Sequence, residues 1–381
     1  MKRKSRREIF KSFAAIFGAL FLVIMQNSLA NKLNGHRFAV SDLKFFETKA
    51  DFRGGEFNRT AFKKDMGIVL QNKGGFPASG SYVSTLIKTP FPTTELLPSW
   101  NVDVPASTGF SISIQITTDT LNFSPWLFLG RAGEAPAPDP RILSWNKTVV
   151  DVDYIKSAEP FSHYRWRVDF FTADPKSSPE LKLFTVCCGN SAGDEALYKK
   201  FAKKDISPQP LVRKLDVPYR SQLANDPEIS EGKRLSICCP VSLSMVLEYF
   251  KISLPTRKLC DLCYDPDNRI LGNWPRAAQI LHQFGLRSYV TQIRSFNEIQ
   301  PFIARGIPLI ASIKAFEGDL PSAPYKQAPG HILVIIGVDK NDTVWVNDPY
   351  NTDGKLGPRL WTRKEIEKVL IGRGGVVIVA E

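Results

Sequence analysis

Apolar and polar side chains change places at every residue along Gly109-Phe-Ser-Ile-Ser-Ile-Gln-Ile-Thr117. A period of two predicts a strand with one face in a core and the other toward solvent. Shorter apolar runs at residues 82–88, 126–129, 149–155, 164–171 and 181–186 predict further strands, separated by turns rich in Pro, Gly, Asp and Ser. Several short strands at this spacing predict an all-β, sandwich-like antiparallel domain over residues 31–190. Its first part, residues 31–64, is polar and carries few periodic cues.

The pattern changes after residue 190. Residues 193–204 are charged and compatible with a helix, and Ser207-Pro208-Gln209-Pro210 is a stiff connector, so residues 191–210 read as a linker. Beyond it, residues 211–381 mix the two periods. In Cys238-Cys239-Pro240-Val241-Ser242-Leu243-Ser244-Met245-Val246-Leu247-Glu248-Tyr249-Phe250, the apolar positions 243, 246, 247 and 250 predict a helix with a core face. Pro240 suits its first position, where a missing N–H costs nothing. Asn273-Trp274-Pro275 opens a second helix that Gly285 closes. Ser295–Glu298 and Thr362–Glu365 are capping boxes, the first starting a helix that ends at Gly306. Apolar strands are expected at residues 307–313, 331–338, 343–347 and 376–380. Helices followed by a late antiparallel sheet make an α+β domain.

Of 381 residues, 43% are hydrophobic and 23% charged, an ordinary globular composition. The net charge of +12 is less informative than it looks. The first eleven residues hold six Lys/Arg and one Glu, leaving about +7 spread over the rest. No basic block interleaves with aromatics, so nucleic acid is not an expected partner. That basic start, the apolar run at residues 13–25 and the small residues Ser28 and Ala30 form a secretory leader over residues 1–30. The chain is therefore expected to be exported, to the periplasm, cell surface or medium, with no membrane span once the leader is removed. No Gly-x-x-x-x-Gly-Lys-Ser/Thr loop is present.

The six cysteines form three pairs: Cys187-Cys188, Cys238-Cys239 and Cys260-x-x-Cys263. Only the last has metal-knuckle spacing, and a zinc site needs two such pairs, so no metal is expected. A disulfide or two buried thiols is the simpler reading of Cys260 and Cys263. Adjacent cysteines rarely bond each other.

A thiol at a helix start meets free N–H groups and the positive end of the helix dipole, which favour the thiolate. A cysteine nucleophile also needs an imidazole, a group to orient it and an oxyanion donor. His331, behind Pro329-Gly330, begins one strand, and Asp348, in Asn347-Asp348-Pro349, ends the next. Antiparallel pairing through the turn at residues 339–342 would bring them together, although they are 17 residues apart. Gln222, upstream of the helix, is the candidate oxyanion donor. His282, on the second helix, reads as a surface or capping residue, and His163 falls in the other domain.

Asp216-Val-Pro-Tyr with Gln222, Cys238-x-Pro-x-Ser-Leu-x-Met-Val-Leu, Gly-His331-x-x-Val and Asn-Asp348-Pro, taken in that order, resemble the C-39-like family of papain-fold cysteine peptidases, relatives of the bacteriocin-processing peptidases. The similarity covers about residues 210–381. It implies a papain-like α+β domain with Cys238 as nucleophile, His331 as base, Asp348 as its orienting partner and Gln222 in the oxyanion hole. Cys239 stands where that family has a small residue, and Gly272-Asn273-Trp274 resembles a packing element of the family.

The resulting expectation is an exported cysteine peptidase that cleaves peptide or protein substrates without a cofactor. The alternative is an inactive papain-fold binding or scaffold protein, whose β-sandwich recognises a surface glycan through aromatics such as Trp126 and Trp145. A third possibility passes the acyl group to an amine instead of water.

Overall fold

A computed structural model describes residues 38–136, 140–202 and 212–381. The expected leader at residues 1–30 and the connector at residues 207–210 lie outside the described residues.

The first half forms one twelve-stranded, nearly closed antiparallel sheet. Two long strands, Ile87–Asp103 and Tyr154–Thr172, organise it. Ile87–Asp103 pairs near its start with Tyr154–Thr172 and near its end with Glu180–Asn190. Tyr154–Thr172 exchanges that partner, past register shifts around Phe161, for Thr108–Thr117 on one edge and Ser79–Val83 on the other. Bulges of this kind bend a strand and sharpen its twist, so one sheet can fold across itself as a sandwich does. The enclosed core is aromatic. Trp166 stacks on Phe184 with ring centres 4.2 Å apart, and Phe46, Phe52 and Tyr82 meet the same indole.

The structure corrects three expectations for this half. Thr108–Thr117 is buried along its whole length, not half-exposed. Its apolar side chains enter the core, while on the polar face Gln115 donates to the Ser124 carbonyl and accepts from the Arg165 guanidinium. The polar segment before residue 64 contains the strands Val40–Phe46, Glu56–Asn58 and Thr60–Lys63. The run at 149–155 is not one strand but a hairpin, Thr148–Asp151 turning back at Val152-Asp153 into Tyr154–Thr172. Val152 takes φ of 63° there. A β-branched residue in that region costs on the order of 1–3 kcal/mol and persists only where its surroundings hold it.

The second half is a papain-like α+β domain. Its antiparallel sheet runs Ser288–Gln292, Val376–Ala380, Leu309–Ala315, Ala328–Val338, Thr343–Asn347, Arg359–Thr362, with Arg213–Lys214 also paired to Ala328–Val338. The helix Cys238–Tyr249 lies against Ala328–Val338, and every residue from Cys239 to Leu247 is buried. It is therefore a central helix, buried all round, where each fully buried Leu, Val or Met contributes about 1.5–3 kcal/mol. It also starts two residues earlier than Pro240 suggested. Pro240 occupies the third position, which is as tolerant as the first because that N–H also has no intrahelical partner.

The remaining helical signals match their caps, except that the segment expected as one helix from Ser295 to Gly306 is a 3-10 turn, Phe296–Glu298, followed by a short helix, Gln300–Ala304. Asn273 accepts from the Arg276 N–H at the start of Trp274–Gln283, and both capping boxes are formed, at Ser295/Glu298 and Thr362/Glu365. All six cysteines are free thiols.

The two halves share a closely bonded interface. Gln279 accepts from the Val102 N–H at 2.9 Å and donates to the Val102 carbonyl at 2.6 Å, as a neighbouring strand would. Asn101 pairs likewise with Ser288, and the Val290 N–H donates to the Ser99 hydroxyl. The vicinal cysteines follow the strand period. Cys187 joins the core of the second half, and Cys188 joins that of the first.

Candidate active site

Three elements converge on one cleft. The helix Cys238–Tyr249 delivers Cys238 at its first turn, and the strand Ala328–Val338 delivers His331. Asp348 follows directly after Thr343–Asn347, whose register sets Asn347 opposite Val334. His331 and Asp348 are thereby neighbours, with the imidazole Nε2 2.7 Å from the carboxylate Oδ1. Both are buried, His331 at 6% and Asp348 at 1% exposure. Ser242, one helical turn beyond Cys238, donates to the Ile332 carbonyl at 3.1 Å and pins the helix to the strand beside His331.

The opposed pulls on the sulfur and the imidazole are the main electrostatic feature. Burial alone would raise the Cys238 thiol. Hydrogen bonding and charge from His331, with the N–H groups of Ile332 and Cys239, overcome it and hold the thiol below its ordinary value. Burial alone would lower the His331 imidazole, but the Asp348 carboxylate and the Cys238 sulfur raise it. With Nε2 committed to Asp348, Nδ1 is the nitrogen left for sulfur. These shifts favour a thiolate–imidazolium pair.

The acid is itself fully bonded. Oδ1 of Asp348 also accepts from the Tyr350 N–H at 2.9 Å, Oδ2 accepts from the Tyr325 hydroxyl at 2.8 Å, and its carbonyl accepts from the Tyr219 hydroxyl at 3.1 Å. The Tyr325 ring stands edge-on to His331 at 5.8 Å, and Tyr350 lies 6.3 Å from it. Sequence reasoning passed over Tyr325 and Tyr350. Tyr350, two residues past Asp348 in a turn, was accessible from local spacing, whereas Tyr325 sits in a loop that no pattern ties to the site.

Gln222 is brought to the same side of the domain but makes no hydrogen bond to Cys238 or His331. Its N–H donates to the Pro349 carbonyl, and its side-chain nitrogen donates one proton to the Arg234 carbonyl at 2.8 Å. That bond fixes the amide plane and leaves the second amide proton unspent, while Oε1 is buried without a partner. Asn347 anchors the approach segment by donating to the Val217 carbonyl at 3.0 Å. Pro240 has no N–H and the Cys239 N–H is turned to the Cys238 sulfur, so the free amide at the helix start is that of Cys238.

Cys239 turns away from the cleft. Its thiol hydrogen-bonds with Cys263, which with burial pushes it well above the usual range and makes it a poor nucleophile. His282 is not a plain surface residue. Its Nε2 lies 2.8 Å from Asp103 across the interface between the halves. In the first half, Trp145 packs against the core, and the Arg165 guanidinium lies 5.3 Å from the Trp126 ring centre.

The cleft holds about 1040 Å³. Cys238, Gly330 and His331 form one side, Leu235, Tyr264 and Gly272 extend it, and the Asp151–Tyr154 turn of the first half closes it. A Cβ built on Gly330 meets nothing within 4 Å, so the space beside the imidazole is open.

Residues 214–370 match the model of the Peptidase_C39 like family, and residues 42–189 match that of the Peptidase C39 N-terminal domain. Among solved structures, a double glycine motif protease from an AMS/PCAT transporter, in complex with the leader peptide, is 16% identical to the chain. It covers 44% of this chain and 93% of its own, with a TM-score of 0.31. A chain from Bacillus anthracis described as a C39-like peptidase is 17% identical, covers 44% of this chain and 97% of its own, and has the same TM-score of 0.31. No curated protein matches the chain.

Proposed function

We propose, on the premise that the second half is a C39-like domain of the papain fold behind a mostly-β N-terminal domain, that the protein is an exported cysteine peptidase. The carrying observation is the buried imidazole of His331, which lowers the Cys238 thiol on one side and is held by Asp348 on the other. The basic and apolar pattern of the first 30 residues supports export.

In this reading the Cys238 thiolate attacks the carbonyl carbon of an extended peptide lying over Gly330. The carbonyl electron pair moves to oxygen, where the Cys238 amide and the spare Gln222 proton receive it. Collapse of that intermediate expels the amine, which takes the proton from the His331 imidazolium. Water then gives a proton to the neutral imidazole as it attacks the thioester, releasing the acid and restoring the thiolate. Asp348 accepts from Nε2 and keeps the imidazole in the tautomer this relay needs. Tyr325 and Tyr350 hold the carboxylate and exclude water behind the ring.

The test is the pH-dependence of iodoacetamide labelling at each cysteine, read by peptide mass spectrometry on reduced protein, with His331→Ala alongside. Rapid labelling of Cys238 well below pH 8 that slows in the variant is the expected result. Labelling of Cys238 no faster than that of Cys239, or unchanged by His331→Ala, would overturn the proposal in favour of a binding protein.

A further inference from the structure

The N-terminal half does more than precede the peptidase half, because it supplies a wall of the cleft. Its Asp151–Tyr154 turn lines the same cleft as Cys238 and His331. The turn is fastened at Trp274 by two adjacent residues. The Asp153 carboxylate accepts from the Trp274 N–H at 2.7 Å, at the start of the helix Trp274–Gln283. The ring of Tyr154 lies 5.4 Å from that of Trp274, with 34° between their planes.

Two further observations give this contact a direction. Tyr154, Trp274, Ser312 and Gly330 line the catalytic cleft and also a neighbouring depression of about 600 Å³ that reaches Lys314 and Phe316. The aromatic pair therefore lies where the two meet, and Gly330, which they also share, precedes His331 in the chain. The second observation is backbone strain. Val152 holds φ of 63° at the tip of a two-residue hairpin, where Gly or Asn would sit without strain. A strained residue next to Asp153, which bonds the other domain, marks a place where the turn's shape matters.

The charges on this wall are already neutralised. Lys156 pairs with Asp151 and lies 4.4 Å from the Tyr154 ring centre, and Asp153 is buried on its helix N–H. What the wall offers a substrate is aromatic surface. On the opposite bank Leu235 and Tyr264 are 63% and 47% exposed.

We infer that Tyr154 of the N-terminal domain and Trp274 of the peptidase domain together form a subsite for a large apolar side chain next to the scissile bond, so that the N-terminal domain selects the substrate. This rests on the peptidase reading of Cys238. The subsite is shared between domains, and the nucleophile is not.

The test uses the full-length protein and peptidyl iodoacetamides bearing Phe, Leu, Ala, Asp or Lys beside the reactive group, each rate divided by that of free iodoacetamide at Cys238. The wild type is expected to favour Phe and Leu over Ala, Asp and Lys by about tenfold, the scale of one buried apolar side chain. Tyr154→Phe should keep that preference and Tyr154→Ala should reduce it to under about threefold, with the free iodoacetamide rate unchanged. Tyr154→Arg, a second variant in case the truncated one does not fold, should shift preference to Asp. No preference in the wild type, or one that survives both Tyr154→Ala and Tyr154→Arg, would overturn the inference. A slow free iodoacetamide rate with the apolar preference intact would instead overturn the peptidase reading and leave the subsite standing.

Discussion

Replacing Asp348 by Asn isolates charge from geometry in the candidate site. The asparagine oxygen can still accept from the His331 Nε2–H and the Tyr350 N–H. The new amide would face the Tyr325 oxygen, which can turn from donor to acceptor. Shape is thus largely kept, and the negative charge is lost. With charge centres about 4 Å apart and an effective dielectric near 20, that charge favours the imidazolium by about 4 kcal/mol. At about 1.4 kcal/mol per pH unit, the alkaline limb of activity, where His331 loses its proton, should move down by roughly three pH units. The acid limb, where the thiolate takes up a proton, should rise because its imidazolium partner is depleted. The assay is the pH profile of Cys238 alkylation and, once a substrate is known, of kcat/KM. An alkaline limb within half a pH unit of the wild type would refute the reasoning. Asp348→Ala should do worse, because three donors, one buried at His331 and two part-buried at Tyr325 and Tyr350, lose their acceptor, at about 1–3 kcal/mol for the buried one.

Other expectations follow from single contacts. Gln222→Ala should lower kcat by about a hundredfold, the usual loss of one oxyanion donor, while leaving the alkylation rate of Cys238 unchanged; a loss under threefold would remove Gln222 from the mechanism. Burial pushes the Asp153 carboxyl up to about 7, against about 4 in an unfolded chain. The folded state then keeps a proton that the unfolded state releases, so stability falls as pH rises from about 4 to about 7 and is level above that. Asp153→Asn keeps the acceptor for the Trp274 N–H and should flatten that decline in denaturation midpoints, and an unaltered slope would contradict it. Gln279→Ala leaves the buried Val102 N–H and carbonyl unpaired and should cost about 2–4 kcal/mol in chemical denaturation; a change below 0.5 kcal/mol, roughly that of an ordinary surface substitution, would mean the contact is not load-sharing.

Much of the peptidase half was legible because its signals are local. Capping boxes at Ser295 and Thr362, the Asn273 cap and the paired strands that end at Asp348 each declare themselves within a few residues. The helix Cys238–Tyr249 was legible as a helix, but its start was misjudged, because proline fits the third position as well as the first. The N-terminal half was harder. The prolines at 90, 92 and 98 argue against a central strand, yet Ile87–Asp103 is one of the two strands that organise the sheet. It tolerates them because it bends and changes partner along its length. At residues 149–155, strand-favouring residues concealed a turn, since Val152 is a poor choice for its φ and Asp153 is aimed at a helix more than a hundred positions away. Tyr325 was hidden for a related reason. Its partner is a carboxylate 23 residues on, and no local pattern encodes that contact.

These long-range contacts share a form that explains why the cleft can be read as a fixed shape. Gln279 to Val102, Asn101 to Ser288 and Asp153 to the Trp274 N–H all join a side chain of one half to the backbone of the other. Backbone groups cannot swing to follow a partner as side chains can, so each such bond sets the separation of the halves directly. Several along the helix Trp274–Gln283 and the strand Ser288–Gln292 leave little freedom for the halves to hinge. The strain at Val152 is consistent with this, because a free hairpin would relax it, and a docked one cannot without breaking the Asp153 bond to Trp274. A substrate entering between Tyr154 and His331 therefore meets a width set during folding, and selection falls to the side chains along that wall rather than to closure around the ligand.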